Sequence, residues 1–181
     1  LVPTEIPNIP GFEFSSKFVA SSISGGDYFD VFELENKTRF GILMSNSTGH
    51  GMASLFLSIL LKMSTQIEAR KGLDPAQVLK KINEEIQDKV KEKQTAHVFY
   101  GVVDRGSLEL TYSKSGNVLA FVYKNNLDKF VRLESTQSVL GFSKGVKNGF
   151  KKETLNFDPK DKLILVSDGL LSLQNREINE K

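Results

Sequence analysis

The sequence predicts an α+β fold in which two antiparallel β-sheets pack as a sandwich and helices flank them. Apolar residues alternate with a period of two before residue 45 and again after residue 96. Between these regions the period lengthens to about 3.6, the spacing of an amphipathic helix. Because each element must bury its apolar side against another layer, this order indicates stacked layers. The length of 181 residues suits one domain, predicted to cover residues 1–181.

The first predicted strands include a hairpin. Residues 12–20 alternate apolar and polar side chains, as a half-buried strand does. Residues 28–34 and 39–44 are two further apolar runs separated by a short polar segment, which is typical of a hairpin. Antiparallel pairing would bring Asp27, at the start of one strand, close to Asn46, which follows the end of the other.

Two amphipathic helices are predicted after the hairpin. The first ends at Gly72, and the second begins at Asp74-Pro75, where Asp caps the helix and Pro occupies its first turn. Leu57 and Leu61 widen the apolar arc of the first helix, so we expect part of this arc to be exposed and to bind the parent protein or a second copy. The main apolar stripes are Met52, Leu55, Phe56, Ile59, Leu60, Met63 and Ile67 in the first helix, and Val78, Leu79, Ile82, Ile86 and Val90 in the second.

The chain returns to strands after the helices. Turns rich in Gly, Asn and Asp separate most of these strands, and the succession indicates an antiparallel meander. The predicted strands are residues 97–103, 108–113, 118–123, 130–133, 152–157 and 163–166.

Composition excludes several classes of protein. A formal net charge of +2, with lysines spread along the chain, gives no electrostatic footprint for nucleic acid. No apolar run approaches the roughly 20 residues that span a bilayer, so no membrane span is expected. The lack of cysteine excludes a cysteine nucleophile and agrees with the cytoplasmic location that we expect. The chain begins with Leu1 rather than Met, so we expect it to be part of a longer protein.

Three polar turns carry the candidate chemistry. Asp27 follows a Gly-Gly pair, Asp168 precedes a glycine, and Asn46 and Ser47 open a third, glycine-containing segment. Loops at strand ends hold their side chains in fixed positions, which suits metal and phosphate chemistry. Each carboxylate also has a structural interpretation, since Asp27 can cap a turn and Asp168 can cap a short helix.

Three further polar residues are assigned mainly structural roles. His50 lies between two glycines, which demand an unusual backbone rather than a catalytic base. His97, on a predicted strand, is not expected to bind metal. Asp30 is expected to serve the turn or to support the ligands, with metal ligation as the minor alternative.

Six short motifs follow one another along nearly the whole chain. They are Ile9-Pro10-Gly11, Gly25-Gly26-Asp27-Tyr28-Phe29-Asp30, Thr48-Gly49-His50-Gly51, Ser115-Gly116-Asn117, Leu140-Gly141 and Leu163-Ile164-Leu165-Val166-Ser167-Asp168-Gly169. In this order and spacing they resemble the bacterial metal-dependent phosphatases of the sporulation-protein E and RsbU type, a branch of the type 2C serine/threonine phosphatases.

The resemblance implies a site with two divalent ions, Mn²⁺ or Mg²⁺, whose bridging water attacks phosphorus. By motif, Asp27 is a catalytic residue and a ligand of one ion, Asp168 has these roles at the other, and the Ser47 carbonyl is a main-chain ligand. Asn46 replaces the aspartate that bridges both ions, and a neutral amide does not easily bridge two cations. A further ligand aspartate of the family has no counterpart before Lys181, so the C-terminal end of the family domain is expected to be missing, through truncation or divergence.

Three functions follow from this resemblance. The first is a phosphoserine/phosphothreonine phosphatase that acts on a signalling protein, such as an anti-sigma-factor antagonist, under the control of an upstream sensor domain. The second is a pseudophosphatase that regulates by binding its partner, and the third is a dimerisation or partner-binding module. Asn46 and the missing carboxylate favour impaired activity, whereas recognition of a phosphoprotein is common to the first two functions.

Overall fold

The computed structural model describes residues 6–19, 26–34, 37–47, 52–87, 95–134, 139–141 and 149–170, and it confirms the α+β class. Within these ranges eight strands and two long helices form. The strands are β1 (Asp27–Glu33), β2 (Arg39–Ser47), β3 (Ala96–Asp104), β4 (Glu109–Ser115), β5 (Leu119–Lys124), β6 (Lys129–Arg132), β7 (Glu153–Asn156) and β8 (Lys162–Val166), and the helices are α1 (Met52–Ala69) and α2 (Pro75–Gln87).

The strands form two antiparallel sheets. A five-stranded sheet has the order β1-β2-β3-β4-β7, and a three-stranded sheet has the order β6-β5-β8. The predicted meander is therefore only partly right, because the consecutive strands β4 and β5 lie in different sheets. Later in the chain, β7 pairs with β4 in the five-stranded sheet and β8 pairs with β5 in the three-stranded sheet. Side-chain alternation indicates which residues form strands, but it does not identify the neighbour of each strand.

The predicted strand at residues 12–20 is wrong for the part that the structure describes, residues 12–19. Phe12 and Phe14 pack edge-on against Phe40, with ring centroids 4.8 Å and 5.8 Å apart. The apolar side chains that produced the alternating pattern therefore serve packing, while their backbone joins neither sheet.

The five-stranded sheet is covered on both faces. In β3, Val98 and Tyr100 belong to the cluster shared with α1 and α2, whereas Phe99 and Val103 belong to the cluster between the two sheets. The layers are thus helices, five-stranded sheet and three-stranded sheet. Burial on both faces explains the nearly continuous apolar sequence of β3.

Helix α1 faces the sheet with a different side from the one predicted. Leu57 and Leu61 are 1% and 0% exposed, so the prediction that they lie at the surface is wrong. The solvent-facing side carries an apolar stripe in which Met52 is 80%, Phe56 57%, Met63 56% and Ile67 54% exposed.

Small hydroxyl side chains explain this orientation of α1. The Ser58 hydroxyl donates to the carbonyl oxygen of Gly26 at 2.9 Å. The same Ser58 Oγ lies 3.0 Å from the Ser54 carbonyl oxygen and 3.3 Å from Ser47 Oγ. Small residues let a helix approach a sheet closely, and the hydroxyl satisfies a backbone group that burial would otherwise leave unpaired. Counting apolar positions alone could not reveal this preference.

Helix α2 follows the prediction. The Gln77 amide donates to Asp74 Oδ1 at 2.9 Å, and the Asp74 amide donates to Gln77 Oε1 at 3.0 Å. This reciprocal cap satisfies backbone donors at the start of the helix, next to Pro75. The predicted apolar residues Val78, Leu79, Ile82 and Ile86 are buried, whereas Val90 lies outside the described residues.

A buried carboxylate holds the turn that precedes β8. Asp161, whose side chain is 0% exposed, contacts Lys124 Nζ at 2.5 Å and accepts from the backbone amides of Asn125 at 2.8 Å and Asp158 at 2.9 Å. Burial by itself raises the pKa of the Asp161 carboxyl, but these hydrogen bonds outweigh it and lower the pKa. The described part of the chain contains no helix long and apolar enough to cross a membrane.

Candidate functional site

The hairpin of β1 and β2 brings two of the predicted site residues together. Asp27 and Asn46 are direct cross-strand partners, as predicted, although Asn46 lies inside β2 rather than beyond its end. The Ser47 amide donates to the Gly26 carbonyl oxygen at 3.0 Å. A Cβ atom at Gly26 would stand 2.3 Å from the Ser47 carbonyl oxygen, so this close approach requires glycine.

Asn46 also connects the two sheets. Its Nδ2 donates to Oδ1 of Asp168, which lies 122 residues away in the short 3-10 turn after β8. Asp168 as a carboxylate only accepts hydrogen bonds, so the NH₂ side of the amide must face it. Asn46 thus presents a hydrogen-bond donor to Asp168, whereas a metal-bridging carboxylate at this position would present an acceptor.

Asp27 and Asp168 lie close enough to influence each other. Burial raises the pKa of the Asp27 carboxyl, a hydrogen bond from the Ser167 hydroxyl opposes this, and the negative charge of Asp168 raises the pKa further. The structure therefore brings Asp27, Asn46 and Asp168 into one site, with Ser47 next to Asn46. Their roles as metal ligands stay predictions.

His97, on β3, is the direct cross-strand partner of Asn46 on β2. Its Nδ1 accepts a hydrogen bond from the Asn117 backbone amide at 3.0 Å, so a neutral ring carries its proton on Nε2. A Cβ atom at Gly116 would stand 2.0 Å from His97 Nδ1, and Gly116 has a φ of +70°. Burial lowers the pKa of His97, against an upward influence from Asp168. This ring therefore supports the turn between β4 and β5.

Of the roles expected for Asp30, a place in a turn is wrong, whereas support of the ligands stays a prediction. Asp30 lies in β1, is 7% exposed, and accepts hydrogen bonds from the Tyr28 hydroxyl at 2.7 Å and from Gln66 Nε2 at 2.9 Å. Burial raises the pKa of Tyr28, and the Asp30 charge adds to this effect. Asp30 faces α1, two positions along the strand from Tyr28, whereas Asp27 lies on the opposite face.

A cavity of about 290 Å³ opens beside the Asn46–Asp168 contact. Sequence reasoning missed several residues of this site, among them Lys114, Arg132 and Ser167. Lys114 lies on a strand with alternating apolar and polar residues, and Arg132 lies on a short strand. No local sequence pattern therefore distinguished these two residues from ordinary surface lysines and arginines. The cavity is lined by Asn46, His97, Lys114, Gly116, Asn117, Val118, Leu119, Arg132, Ser167 and Asp168.

Within the described ranges, the donor set does not fit a centre of two metal ions. Among the described residues, no group of three or more His, Cys, Asp or Glu side chains is placed to hold a metal ion. Two hard cations need several carboxylate oxygens, and of the residues that the structure describes at this site only Asp27 and Asp168 supply them. The motif residues Thr48, Gly49, His50 and Gly51 lie outside the described residues, as does Gly25.

Two antiparallel sheets with a pair of helices, and acidic turns at the shared edge of the sheets, define a type 2C phosphatase-like domain. The chain belongs to the stage II sporulation protein E (SpoIIE) family, whose model matches residues 36–180. This confirms the resemblance seen in the sequence.

Relatives and solved structures agree with this assignment. Phosphoserine phosphatase RsbU of Bacillus subtilis (strain 168) is 24% identical over 94% of this chain and 50% of its own length. The RsbU and RsbW domains of a Mycobacterium tuberculosis protein match with a TM-score of 0.71 and 20% identity, over 85% of this chain and 42% of that one. The phosphatase domain and a fragment of the regulatory domain of SpoIIE from Bacillus subtilis match with a TM-score of 0.71 and 17% identity, over 87% of this chain and 45% of that one.

The chain spans about half the length of the RsbU relative that it matches. The family is metal-dependent, and RsbX, which shares the fold, was solved in complex with magnesium. At these identities the solved structures establish the fold of this chain, while its ions and its substrate are matters for proposal.

Proposed function

We propose that this chain is a phosphoserine/phosphothreonine protein phosphatase-like signalling domain that recognises a phosphorylated protein, and that its metal-dependent hydrolysis is impaired. The substrate class is supported by the family and by relatives named phosphoserine phosphatases. The proposed partner is a phosphorylated signalling protein such as an anti-sigma-factor antagonist, and the proposed regulator is an upstream sensor domain. The RsbU and RsbW domains in one solved relative support a signalling context.

The contact between Asn46 and Asp168 carries the proposal of impaired activity. A bridging aspartate would contribute a negative charge and two oxygens that can each bind one cation. The amide has one good donor oxygen and no charge, and its NH₂ group faces Asp168. Binding of two adjacent divalent ions is therefore disfavoured by charge as well as by coordination. A single, weakly bound Mn²⁺ or Mg²⁺ beside Asp27 or Asp168 is compatible with this donor set.

Two measurements test the proposal. The chain with Mn²⁺ should hydrolyse a generic phosphate ester no faster than its Asp27→Ala variant, and it should bind a phosphoserine peptide more tightly than the matching serine peptide. Clear metal-dependent turnover that Asp27→Ala abolishes would refute impaired hydrolysis. Equal binding of the two peptides would refute phosphoprotein recognition.

A second candidate function, partner binding or dimerisation, is favoured by the stripe on α1. Met52, Phe56, Met63 and Ile67 are all more than half exposed and lie on one side of the helix. Large apolar side chains exposed in a row are unfavourable in water and mark contact surfaces. The regulatory contact that we expected at Leu57 and Leu61 is therefore assigned to this stripe instead.

The stripe is tested by a double change, Phe56→Glu with Met63→Glu. Self-association or partner binding, measured by light scattering, should weaken, while the melting temperature should hardly change because both side chains are exposed. Lys80→Glu on the exposed side of α2 alters the net charge by the same amount and is the control. Unfolding by the double change, or an equal effect of the control, would contradict this second function.

A further inference from the structure

A serine of α1 contacts the chain neighbours of both Asp27 and Asn46. Ser58 is 0% exposed, and its Oγ lies 2.9 Å from the carbonyl oxygen of Gly26, the residue before Asp27. The same Oγ lies 3.3 Å from Oγ of Ser47, the residue after Asn46. One side chain of the helix thus reaches the strand ends that carry both residues of the site.

The directions of these hydrogen bonds follow from their donors and acceptors. The Gly26 carbonyl oxygen accepts from the Ser58 hydroxyl and also from the Ser47 amide at 3.0 Å. Because the single hydroxyl proton of Ser58 is directed at a carbonyl oxygen, the Ser47 hydroxyl is the donor in its contact with Ser58 Oγ. Ser47 is 5% exposed, so little water competes for these bonds. The three residues therefore form a closed hydrogen-bonded group at the end of the hairpin.

A buried serine in a helix has an ordinary role, which is to donate to the carbonyl oxygen four residues before it. Ser58 lies 3.0 Å from the Ser54 carbonyl oxygen, so this role is open to it. Such a role requires no strand nearby, yet a Cβ atom at Gly26 would stand 3.2 Å from Ser54 Cβ. The contact of Ser58 with the hairpin is therefore a product of the close packing of α1 on β1.

A second contact fixes α1 along the same strand. Gln66 Nε2 donates to Oδ2 of Asp30 at 2.9 Å. From Ser58 to Gln66 the helix rises about 12 Å, since each residue adds about 1.5 Å. From Gly26 to Asp30 the extended chain advances about 13 Å, at about 3.3 Å per residue. Because these spacings match, the two contacts hold α1 in one register on β1, and Asp27 lies between them.

Ser58 acts from the face of the sheet that is opposite to the site. Successive side chains of a strand point to opposite faces, so Ser47 faces α1 whereas Asn46 faces Asp168. The end of β2 is thus held between the helix on one face and Asp168 on the other. A shift of β2 on the helix side would move Asn46 relative to Asp168.

We propose that Ser58 is a positioning residue, which fixes the ends of β1 and β2 and thereby keeps Asn46 in contact with Asp168. The effect on phosphopeptide binding rests on the proposed function, because it requires that the site recognises a phosphoprotein. The effect on the contact between Asn46 and Asp168 does not depend on that function, so the two can be measured separately.

The first measurement follows solvent exchange of the Asn46 side-chain amide by nuclear magnetic resonance in metal-depleted buffer. Ser58→Ala should accelerate this exchange by about two- to tenfold, the range that corresponds to the net contribution of one ordinary hydrogen bond. The Gly26 carbonyl oxygen keeps its hydrogen bond from the Ser47 amide in this variant, so the domain should stay folded. The melting temperature checks that it does.

Two further variants make the result specific. Ser64→Ala is the matched control, because Ser64 lies on the same helix but its hydroxyl donates to Oε2 of Glu85 on α2 at 2.9 Å. This control should leave the exchange of the Asn46 amide unchanged. Ser47→Ala removes the hydroxyl that donates to Ser58 and should accelerate the exchange as Ser58→Ala does. It keeps the test decisive if Ser58→Ala unfolds the domain.

The second measurement is binding of a phosphoserine peptide by calorimetry, which Ser58→Ala should weaken by about two- to tenfold and Ser64→Ala by less than twofold. Unchanged exchange of the Asn46 amide in Ser58→Ala, or in Ser47→Ala if the former unfolds, would overturn the positioning role. Equal acceleration in Ser64→Ala would show a general loosening of α1 and would also overturn it. If the unmodified chain binds no phosphoserine peptide, phosphoprotein recognition is refuted, while faster exchange in Ser58→Ala alone would still support the positioning role.

Discussion

Replacement of Asn46 by aspartate should destabilise the metal-free protein and make its stability depend on Mn²⁺. In the native structure Asn46 Nδ2 donates to the Asp168 carboxylate, and burial together with the charge of Asp168 already raises the pKa of Asp27. The substitution removes the donor and places a third carboxylate beside two others. Without a cation, neither effect is compensated.

The size of the effect has two parts. Loss of a hydrogen bond to a charged group costs about 1.5–3 kcal/mol. A carboxylate about 4 Å from another costs about 1 kcal/mol in a water-like environment, which is the appropriate one because Asp168 is exposed. The free energy of unfolding should therefore fall by roughly 2.5–4 kcal/mol, a large share of the roughly 5–15 kcal/mol of a typical domain.

Urea denaturation with and without Mn²⁺ measures both effects. In metal-depleted buffer the midpoint of Asn46→Asp should fall with an unchanged slope, whereas Asn46→Ala should lose only the hydrogen-bond part. At a free Mn²⁺ concentration about 100 times its dissociation constant, Asn46→Asp should regain about 2.7 kcal/mol. The unmodified chain should gain much less, because it lacks the third carboxylate.

Two results would refute this reasoning. If metal-free Asn46→Asp is as stable as the unmodified chain, the contact with Asp168 contributes nothing and the carboxylates do not repel one another. If the unmodified chain gains as much stability from Mn²⁺ as the variant does, the amide is an adequate ligand. Two well-occupied ions less than about 4 Å apart in the unmodified chain would lead to the same conclusion.

Three further predictions concern stability, each measured by urea denaturation. Leu61→Ala should cost about 2–5 kcal/mol because Leu61 is 0% exposed, whereas Met63→Ala on the exposed side should cost less than about 0.5 kcal/mol; equal costs would contradict the observed orientation of α1. Gly26→Ala should cost about 1–3 kcal/mol because the new Cβ would stand 2.3 Å from the Ser47 carbonyl oxygen; an unchanged midpoint would show that the strands separate freely there. The pKa of Asp161 is lower in the folded protein than its value of about 3.9 in the unfolded chain, so the carboxylate stabilises the fold above that pH. This stabilisation is lost as the pH falls through the folded pKa, so the stability of Asp161→Asn should fall less steeply in acid than that of the unmodified chain. Parallel pH profiles of the two proteins would contradict this.

Much of the local structure could be predicted from the sequence. The apolar runs of the hairpin predicted the pairing of Asp27 with Asn46, and Asp74-Pro75 predicted the start of α2. These features depend on residues close in sequence, whose side-chain spacing and backbone preferences act locally. The ordered motifs also predicted the family and directed attention to Asn46.

Other features were decided only by tertiary packing. Helix α1 has two apolar arcs, and its serines selected Leu57 and Leu61 for the core by allowing a close approach to Gly26. Periodicity carries no information about that choice, because both arcs have helical spacing.

The site itself combines what the sequence determined with what the fold added. The sequence alone determined that position 46 carries an amide, and its resemblance to the family predicted that this amide replaces a carboxylate. Only the packing of the two sheets decided that this amide donates to Asp168 across 122 residues, and that Lys114 and Arg132 meet in the same cavity. Contacts between different sheets depend on how their faces pack, and no local sequence pattern encodes that geometry.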